Sequence, residues 1–407
     1  MNYNNIYKMI RRVYTSIANN YASLPVNIIK GKDIYLWDIH HKKYIDLLAG
    51  YSAVNQGHCH TKLVSIMQNQ CNTLTLTSRV VMNENLILWG NYITKLFNYD
   101  KVLAMNSGAE AVETALKLAR RYGHEVMNIP ENKAKIVCLS GNFHGRTIGT
   151  ISLTDYPNYK KGFGPMLDNI LTVKMNDCNS LFQVIENNAN EISAIIYEPI
   201  QGEGGIIPIS NDFFRAMYQI KQTYPNILLM ADEIQSGLGR SGNWTAGQVL
   251  FPEINPDVLI LGKALSGGMI PMSCVLANNH HMNVFNPGSH GSTFGGNPLS
   301  CAISIEALNI IDKECIDFIQ KKEQIMKIFL QKMLIDNPDK IVDVRGSGLF
   351  WGIQFKENYN IEKLRHLLLD LGYITCTARN NTLRITPPLT ISYKNIEKCM
   401  TIIAEII

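Results

Sequence analysis

From about Lys101 onward the chain alternates two patterns. Short apolar runs (Ile136–Leu139, Ile192–Tyr197, Ile227–Met230 and Val258–Leu261) are each bounded by turn residues. Runs of this length and composition predict strands buried on both faces, as in a parallel sheet. Between two of them, Asp212–Lys221 has the spacing of a helix with one apolar face. The alternation predicts an α/β domain whose mostly parallel central sheet is covered on both sides. Upstream, Ile34–Asp38 and Lys43–Asp46 predict a short hairpin. Downstream, helical spacing runs from Pro298 through Leu308 and Ile311 to about Met333. It leads into a smaller α+β unit containing Val344–Gly348 and helices near Ile361–Leu371 and Asn395–Ile406. The expected division is an N-terminal segment, 1–50, that packs with the small domain, a large domain, 51–299, and a C-terminal small domain, 300–407.

Composition changes this picture little. Of 407 residues 46% are apolar and 18% charged, which is ordinary for a soluble protein with a sizeable core. The net charge of +4, with no basic block interleaved with aromatics, gives no reason to expect nucleic-acid binding. No apolar run approaches the roughly 18 residues of a membrane span. Nine scattered cysteines without a CxxC pair argue against a disulfide framework. His58-Cys59-His60 lacks a second cluster at ligand spacing, so no metal is expected. The first twenty residues are basic, with Lys8, Arg11 and Arg12 and no acid. A mitochondrial address would suit that charge, but no long Arg/Ser-rich extension accompanies it, and the cytoplasm is the expected location.

Candidate chemistry gathers where strands end. Lys263 closes the Val258 run and enters a Gly-rich turn, and Asp232 closes the Ile227 run, with Gln235 just beyond. Ligands of open α/β sheets bind at the carboxyl ends of strands. A lysine amine and a carboxylate there are what a pyridoxal phosphate enzyme needs, the amine for a Schiff base and the carboxylate to keep the pyridine nitrogen protonated. Ser107-Gly108-Ala109-Glu110 reads as a capped helix start whose small residues let backbone N–H groups approach a phosphate. Phe143 or His144 can stack on a planar ring, and Arg146 can clamp a carboxylate. Glu198 and Glu203 lie in a Gly-rich loop, and Ser292 and Thr293 supply hydroxyls in another. Taken singly, each loop reads equally well as an ordinary turn. No P-loop, GxGxxG after a strand, or HExxH is present.

Phe143-His-Gly-Arg146, Glu198-Pro-Ile-Gln-Gly-Glu203, Ala231-Asp-Glu-Ile-Gln235, Leu261-Gly-Lys-Ala-Leu-Ser-Gly-Gly268 and Gly291-Ser-Thr-Phe-Gly-Gly-Asn-Pro-Leu299 together resemble the class III aminotransferases, in the family's order along nearly the whole chain. Tyr51–His60, Leu74–Arg79, Ile93–Tyr99, Arg384–Leu389 and Asn20-Tyr21 are similar to the ornithine aminotransferases within it. The resemblance implies fold type I, pyridoxal 5'-phosphate and a homodimer with active sites at the interface. It implies Lys263 as Schiff-base lysine and proton shuttle, Asp232 on the pyridinium nitrogen, Gln235 on the ring hydroxyl and Phe143 stacked on the ring, with His144 beside it. Gly108 and Ala109 would hold the phosphate, helped by Thr293 of the partner subunit. Tyr21 and Arg146 would grip the α-end of ornithine, with Tyr51 lining the pocket. Glu203 would mask Arg384 until a dicarboxylate displaces it. The segment between Cys376 and Asn381 departs from the family pattern. The alternatives are another ω-aminotransferase acting on N-acetylornithine, 4-aminobutyrate or a related diamine, and a catalytically silent pyridoxal phosphate-binding scaffold.

Overall fold

In the computed structural model, which describes residues 16–407, a seven-stranded sheet forms the centre. The basic residues Lys8, Arg11 and Arg12 lie outside the described residues. In chain order the strands are β1 (Lys101–Met105), β2 (Lys135–Leu139), β3 (Ile170–Val173), β4 (Ile192–Tyr197), β5 (Leu228–Asp232), β6 (Val258–Leu261) and β7 (Ser273–Ala277). Their order across the sheet is β1-β7-β6-β5-β4-β2-β3, and only β7 runs antiparallel to its neighbours.

The apolar runs contain no polar alternation because both faces are covered. Val137, Leu139, Ile195, Tyr197, Leu229, Ala231, Leu259 and Leu261 point to one side. There they meet Trp89 and Ile93 of the helix Glu84–Phe97, Leu181 and Ile185 of Cys178–Asn188, and Phe213, Phe214 and Met217 of Asn211–Thr223. The intervening residues, Ile136, Cys138, Ala194, Ile196, Leu228, Met230, Val258 and Ile260, meet Ala111, Val112, Ala115, Leu118 and Tyr122 of the helix Gly108–Glu125. Strand pleating sends successive side chains to opposite faces, so each strand feeds both cores.

The expected hairpin is present as Tyr35–Asp38 against Lys43–Asp46, with Ile28–Lys32 outside it. Tyr373–Ile374, from the other end of the chain, adds parallel to Lys43–Asp46. A second sheet, Ile341–Ser347, Phe350–Phe355, Thr382–Ile385 and Cys376–Ala378, completes the C-terminal part. Its core unites Ile34, Ile45 and Leu47 with Ile353, Leu383, Ile396 and Ile403. The continuous helix expected from Pro298 is interrupted: Pro298–Ile310 and Ile316–Asp336 are joined by a π-helical turn, Ile311–Cys315. One residue inserted into the i→i−4 ladder lets both halves keep an apolar side inward, which spacing alone did not reveal.

Arg240 ties the two parts together. It is fully buried, and its guanidinium donates to the carbonyls of Leu349 and Pro387 and to Asn55 Oδ1. No carboxylate among the described residues forms an ion pair with it; burial brings its pKa down to about 9 against the weaker pull of Asp46.

Candidate active site

The carboxyl ends of β1, β2, β4, β5 and β6 share one edge of the sheet, and the sequence-selected loops leave from that edge. Asp232 is the last residue of β5 and pairs in register with Ile260 of β6, three positions before Lys263. The strand stops because Gly262 is extended and Lys263 turns into the left-handed region (φ 46°), an uncommon conformation for a residue with a Cβ. Gly267 and Gly268 then complete the turn. A Cβ on Gly267 would lie 2.3 Å from Leu63 Cδ1, so the turn packs against a neighbouring helix only because the position is glycine. Burial lowers the Lys263 pKa to about 8, against the opposing pull of Asp232, Glu203 and Glu198. The amine is therefore half neutral at about pH 8 and mostly neutral and nucleophilic above it, far below the range of an ordinary lysine.

Asp232 is buried, accepting from Ile234 N at 3.1 Å and from His144 Nδ1 at 2.7 Å. His144 is also buried. Burial disfavours its imidazolium, but the bond and charge of Asp232, with Glu198 nearby, outweigh this and raise its pKa. His144 lies behind Asp232 and orients its carboxylate toward the site, and the same contact favours the imidazolium. Of the two stacking candidates, His144 is engaged by Asp232, whereas the Phe143 ring is half-buried beside Arg146, 5.4 Å from its guanidinium. Glu198, whose role the sequence left open, is buried and braces the loop, accepting from Phe143 N (2.9 Å) and Gly202 N (3.3 Å). Burial is the main cause that pushes its pKa up to about 7. Gln235 lies against Gly202 so closely that a Cβ there would come within 2.0 Å of its Oε1.

At the end of β1, Ser107 Oγ accepts from Glu110 N, and the Glu110 carboxylate accepts from Ser107 N and Asn106 N. This capping box leaves the first-turn N–H groups of Gly108 and Ala109 available to an anion. Ser292 joins the same corner, its Oγ accepting from Asn106 Nδ2 at 2.9 Å. Thr293 does not: it is exposed on the surface of this chain, next to exposed Phe294.

Arg384, on Thr382–Ile385, is 2% exposed and donates to Glu203 Oε1 at 2.6 Å, to Thr377 O and to Cys376 Sγ. Burial opposes its charge, but the neighbouring acidic groups Cys376 and Glu203 more than compensate and raise its pKa. Tyr51 lies with its ring 5.1 Å from the Arg384 guanidinium. Its backbone is left-handed (φ 59°), in a strained turn held by Asp46 Oδ1, which accepts from Leu48 N and Ala49 N. Asp46 is held in turn by His58 Nε2 at 2.7 Å, which gives that histidine a structural partner. Tyr21 is 73% exposed at the rim, close enough to Tyr51 to raise its phenol pKa, an effect secondary to burial. Arg146 is exposed and has no carboxylate partner among the described residues; its guanidinium lies 3.7 Å from the Tyr159 ring centroid.

A buried carboxylate, a desolvated lysine just past the end of the next strand, an aromatic ring and a helix N-terminus with free N–H groups match the charge pattern of pyridoxal phosphate. Comparison with known proteins agrees. The profile of the aminotransferase class-III family matches residues 16–407. The chain belongs to the class III aminotransferases. Ornithine aminotransferase 1 of Staphylococcus saprophyticus is 42% identical over 390 residues, covering 96% of each chain. The crystal structure of the ornithine aminotransferase from Toxoplasma gondii superposes with a TM-score of 0.92 at 34% identity, covering 98% of this chain and 93% of that one. Acetylornithine aminotransferase from Elizabethkingia anophelis gives a TM-score of 0.85 at 38% identity, covering 98% of both chains. This class III aminotransferase has the α/β architecture of fold type I and uses pyridoxal phosphate. No helix among its described residues is long and apolar enough to cross a membrane.

Proposed function

We propose that this aminotransferase moves the δ-amino group of L-ornithine to 2-oxoglutarate, giving glutamate 5-semialdehyde, which cyclises to pyrroline-5-carboxylate, and glutamate. The Glu203–Arg384 pair carries the reading. One site must take a diamine by its distal nitrogen and a dicarboxylate by its α-nitrogen. A buried arginine covered by a carboxylate that is still 22% exposed can be hidden from the first and offered to the second.

Bound in this site, pyridoxal phosphate supplies a carbonyl carbon for the substrate amine and a cationic ring that draws electrons from the substrate carbon. Asp232, held by His144, would keep positive charge at the ring nitrogen, and Gln235 would meet the ring hydroxyl. Phe143 would cover the ring. The N–H groups of Gly108 and Ala109 would hold the phosphate, with Ser292 supporting that corner and Thr293 of a partner subunit reaching it. Arg146 and Tyr21 grip the α-end of ornithine, and Tyr51 lines the pocket. Lys263 Nζ takes the proton from the carbon bearing the δ-amine. When the dicarboxylate enters, Glu203 yields, Arg384 takes its α-carboxylate and Arg146 the other one.

A second copy of the chain is part of this proposal. Leu74, Leu76, Val80, Val81, Met82, Ile87 and Leu88 are exposed close together in sequence, and Phe294 is exposed beside Thr293. Apolar surface gathered in this way suits a symmetric interface. We also propose the two-domain division at residues 50 and 300 and a cytoplasmic location, the latter supported by nine unpaired cysteines.

The likeness to an acetylornithine aminotransferase keeps N-acetylornithine as the second reading. The test is the half-reaction of the cofactor-loaded protein with L-ornithine, N-acetylornithine and 4-aminobutyrate, followed by the change in cofactor absorbance. Reaction with ornithine and formation of a cyclic imine support the proposal. Reaction with either other donor in its place refutes the substrate.

A further inference from the structure

The segment that departs from the family pattern places a third arginine beside the site. Arg379 begins the turn between Cys376–Ala378 and Thr382–Ile385, which Asn380 and Asn381 close in left-handed conformations (φ 57° and 49°). The turn is fixed over the Glu203 loop: Arg379 N donates to Glu203 O (3.1 Å) and Asn380 Nδ2 to Gly204 O (3.0 Å). The guanidinium lies 4.3 Å from the Tyr156 ring and 5.3 Å from the Tyr159 ring. Its only acidic contact among the described residues, Asp155 Oδ1, is 3.6 Å from Nη1, too long for a hydrogen bond. Nε and Nη2 are buried without a hydrogen-bond partner among the described residues.

Two buried donors of a permanent cation, left without acceptors, are costly unless a ligand satisfies them. Tyr159 also carries Arg146, 3.7 Å from its centroid, so the two guanidinium carbons are at most about 9 Å apart. A carboxylate carbon sits roughly 4 Å from a guanidinium carbon in a hydrogen-bonded pair, so one carboxylate bridges two guanidinium carbons up to about 8 Å apart, a separation within that bound. We propose that Arg379 is a second carboxylate-binding residue. It acts with Arg146 on the substrate end remote from the transferred amine: the α-carboxylate of a diamino acid and the distal carboxylate of a dicarboxylate. The proposal rests on the amino-transfer reading and adds a specificity determinant to it: amino acids are favoured over diamines lacking a carboxylate.

Arg379→Gln removes the charge and keeps the backbone bond to Glu203. The cofactor-loaded variant and the parent are compared with L-ornithine, L-glutamate and 1,4-diaminobutane. About a tenfold or greater rise in KM is expected for both amino acids, with kcat little changed and the diamine unaffected. Arg379→Lys, which keeps the charge but not the fork, is expected to fall between, and it carries the test alone if the Gln variant does not fold. Unchanged KM for ornithine, or an equal rise for the diamine, overturns the proposal. Parent protein inert toward all three overturns the amino-transfer reading instead.

Discussion

Replacing Glu203 with alanine tests the masking of Arg384 most directly. Breaking a fully buried ion pair by removing one partner typically costs about 3–5 kcal/mol. Glu203 is 22% exposed, and Arg384 retains Thr377 O, Cys376 Sγ and the Tyr51 ring, so the pair is worth about 2 kcal/mol by the discount for partial solvation. An incoming α-carboxylate no longer has to displace Glu203, so glutamate should bind about 30-fold more tightly. The same unmasked arginine should also draw the α-carboxylate of ornithine and present its α-amine for transfer. Ornithine labelled with heavy nitrogen at the δ-position separates the routes. Both cyclic products reduce to proline, but loss of the δ-amine gives unlabelled proline, whereas loss of the α-amine leaves the label in the ring. Glu203→Ala should shift proline from unlabelled toward labelled. Unlabelled proline together with unchanged glutamate affinity would refute the gate.

With the Lys263 pKa brought to about 8, the rate of cofactor loading into the cofactor-free protein should rise about tenfold per pH unit below pH 8 and level above it, as read by absorbance. Glu198 is held at about 7 against 4.5 for the free side chain, so between these values the folded state retains a proton that the unfolded state has lost. Stability is therefore highest below about 4.5 as far as this group is concerned, falls by about 3 kcal/mol as pH rises through 7, and then levels; Glu198→Gln should flatten that slope in urea titrations. Arg240→Ala leaves two carbonyls and Asn55 without their donor in a closed site and should cost about 3–4 kcal/mol in urea unfolding, with loss under 1 kcal/mol contradicting its role as a clamp.

Much of this arrangement was legible because it depends on local pattern. Apolar runs of four to six residues between turn residues suit strands with two covered faces, and a lysine or aspartate that closes such a run in a parallel sheet lies at the carboxyl edge where ligands bind. Asp232 and Lys263 were therefore readable, as were the Ser107–Glu110 cap and the hairpin at Tyr35–Asp46. What escaped depends on contacts between distant segments. Asp232 is 88 residues from His144, so nothing local announces that the imidazole braces the carboxylate. Arg240 belongs to no local pattern that marks it, and only the folded chain brings Leu349 and Pro387 to it. The orphaned donors of Arg379 follow from how Tyr156 and Tyr159 pack, which no spacing encodes. The π-turn at Ile311–Cys315 escaped because helical periodicity looks much the same on either side of one inserted residue.

The strand Tyr373–Ile374 gives the N-terminal hairpin a history as well as a place. Lys42 reaches the carbonyl of Leu369 across 327 residues of sequence. At synthesis rates of about 5–20 residues per second, the hairpin leaves the ribosome on the order of half a minute before its neighbour exists. During that interval Lys43–Asp46 is an unpaired edge in a crowded cell. Both edges of the early three-stranded sheet carry a lysine: Lys43, on the edge that Tyr373–Ile374 later covers, sits over the Tyr35 ring at 3.4 Å, and Lys30, on the opposite edge strand, lies over Trp37 at 5.1 Å, placing charge where another chain would add a strand. The lysines that look like surface decoration in the finished enzyme would then act as chaperoning residues while the protein is being made.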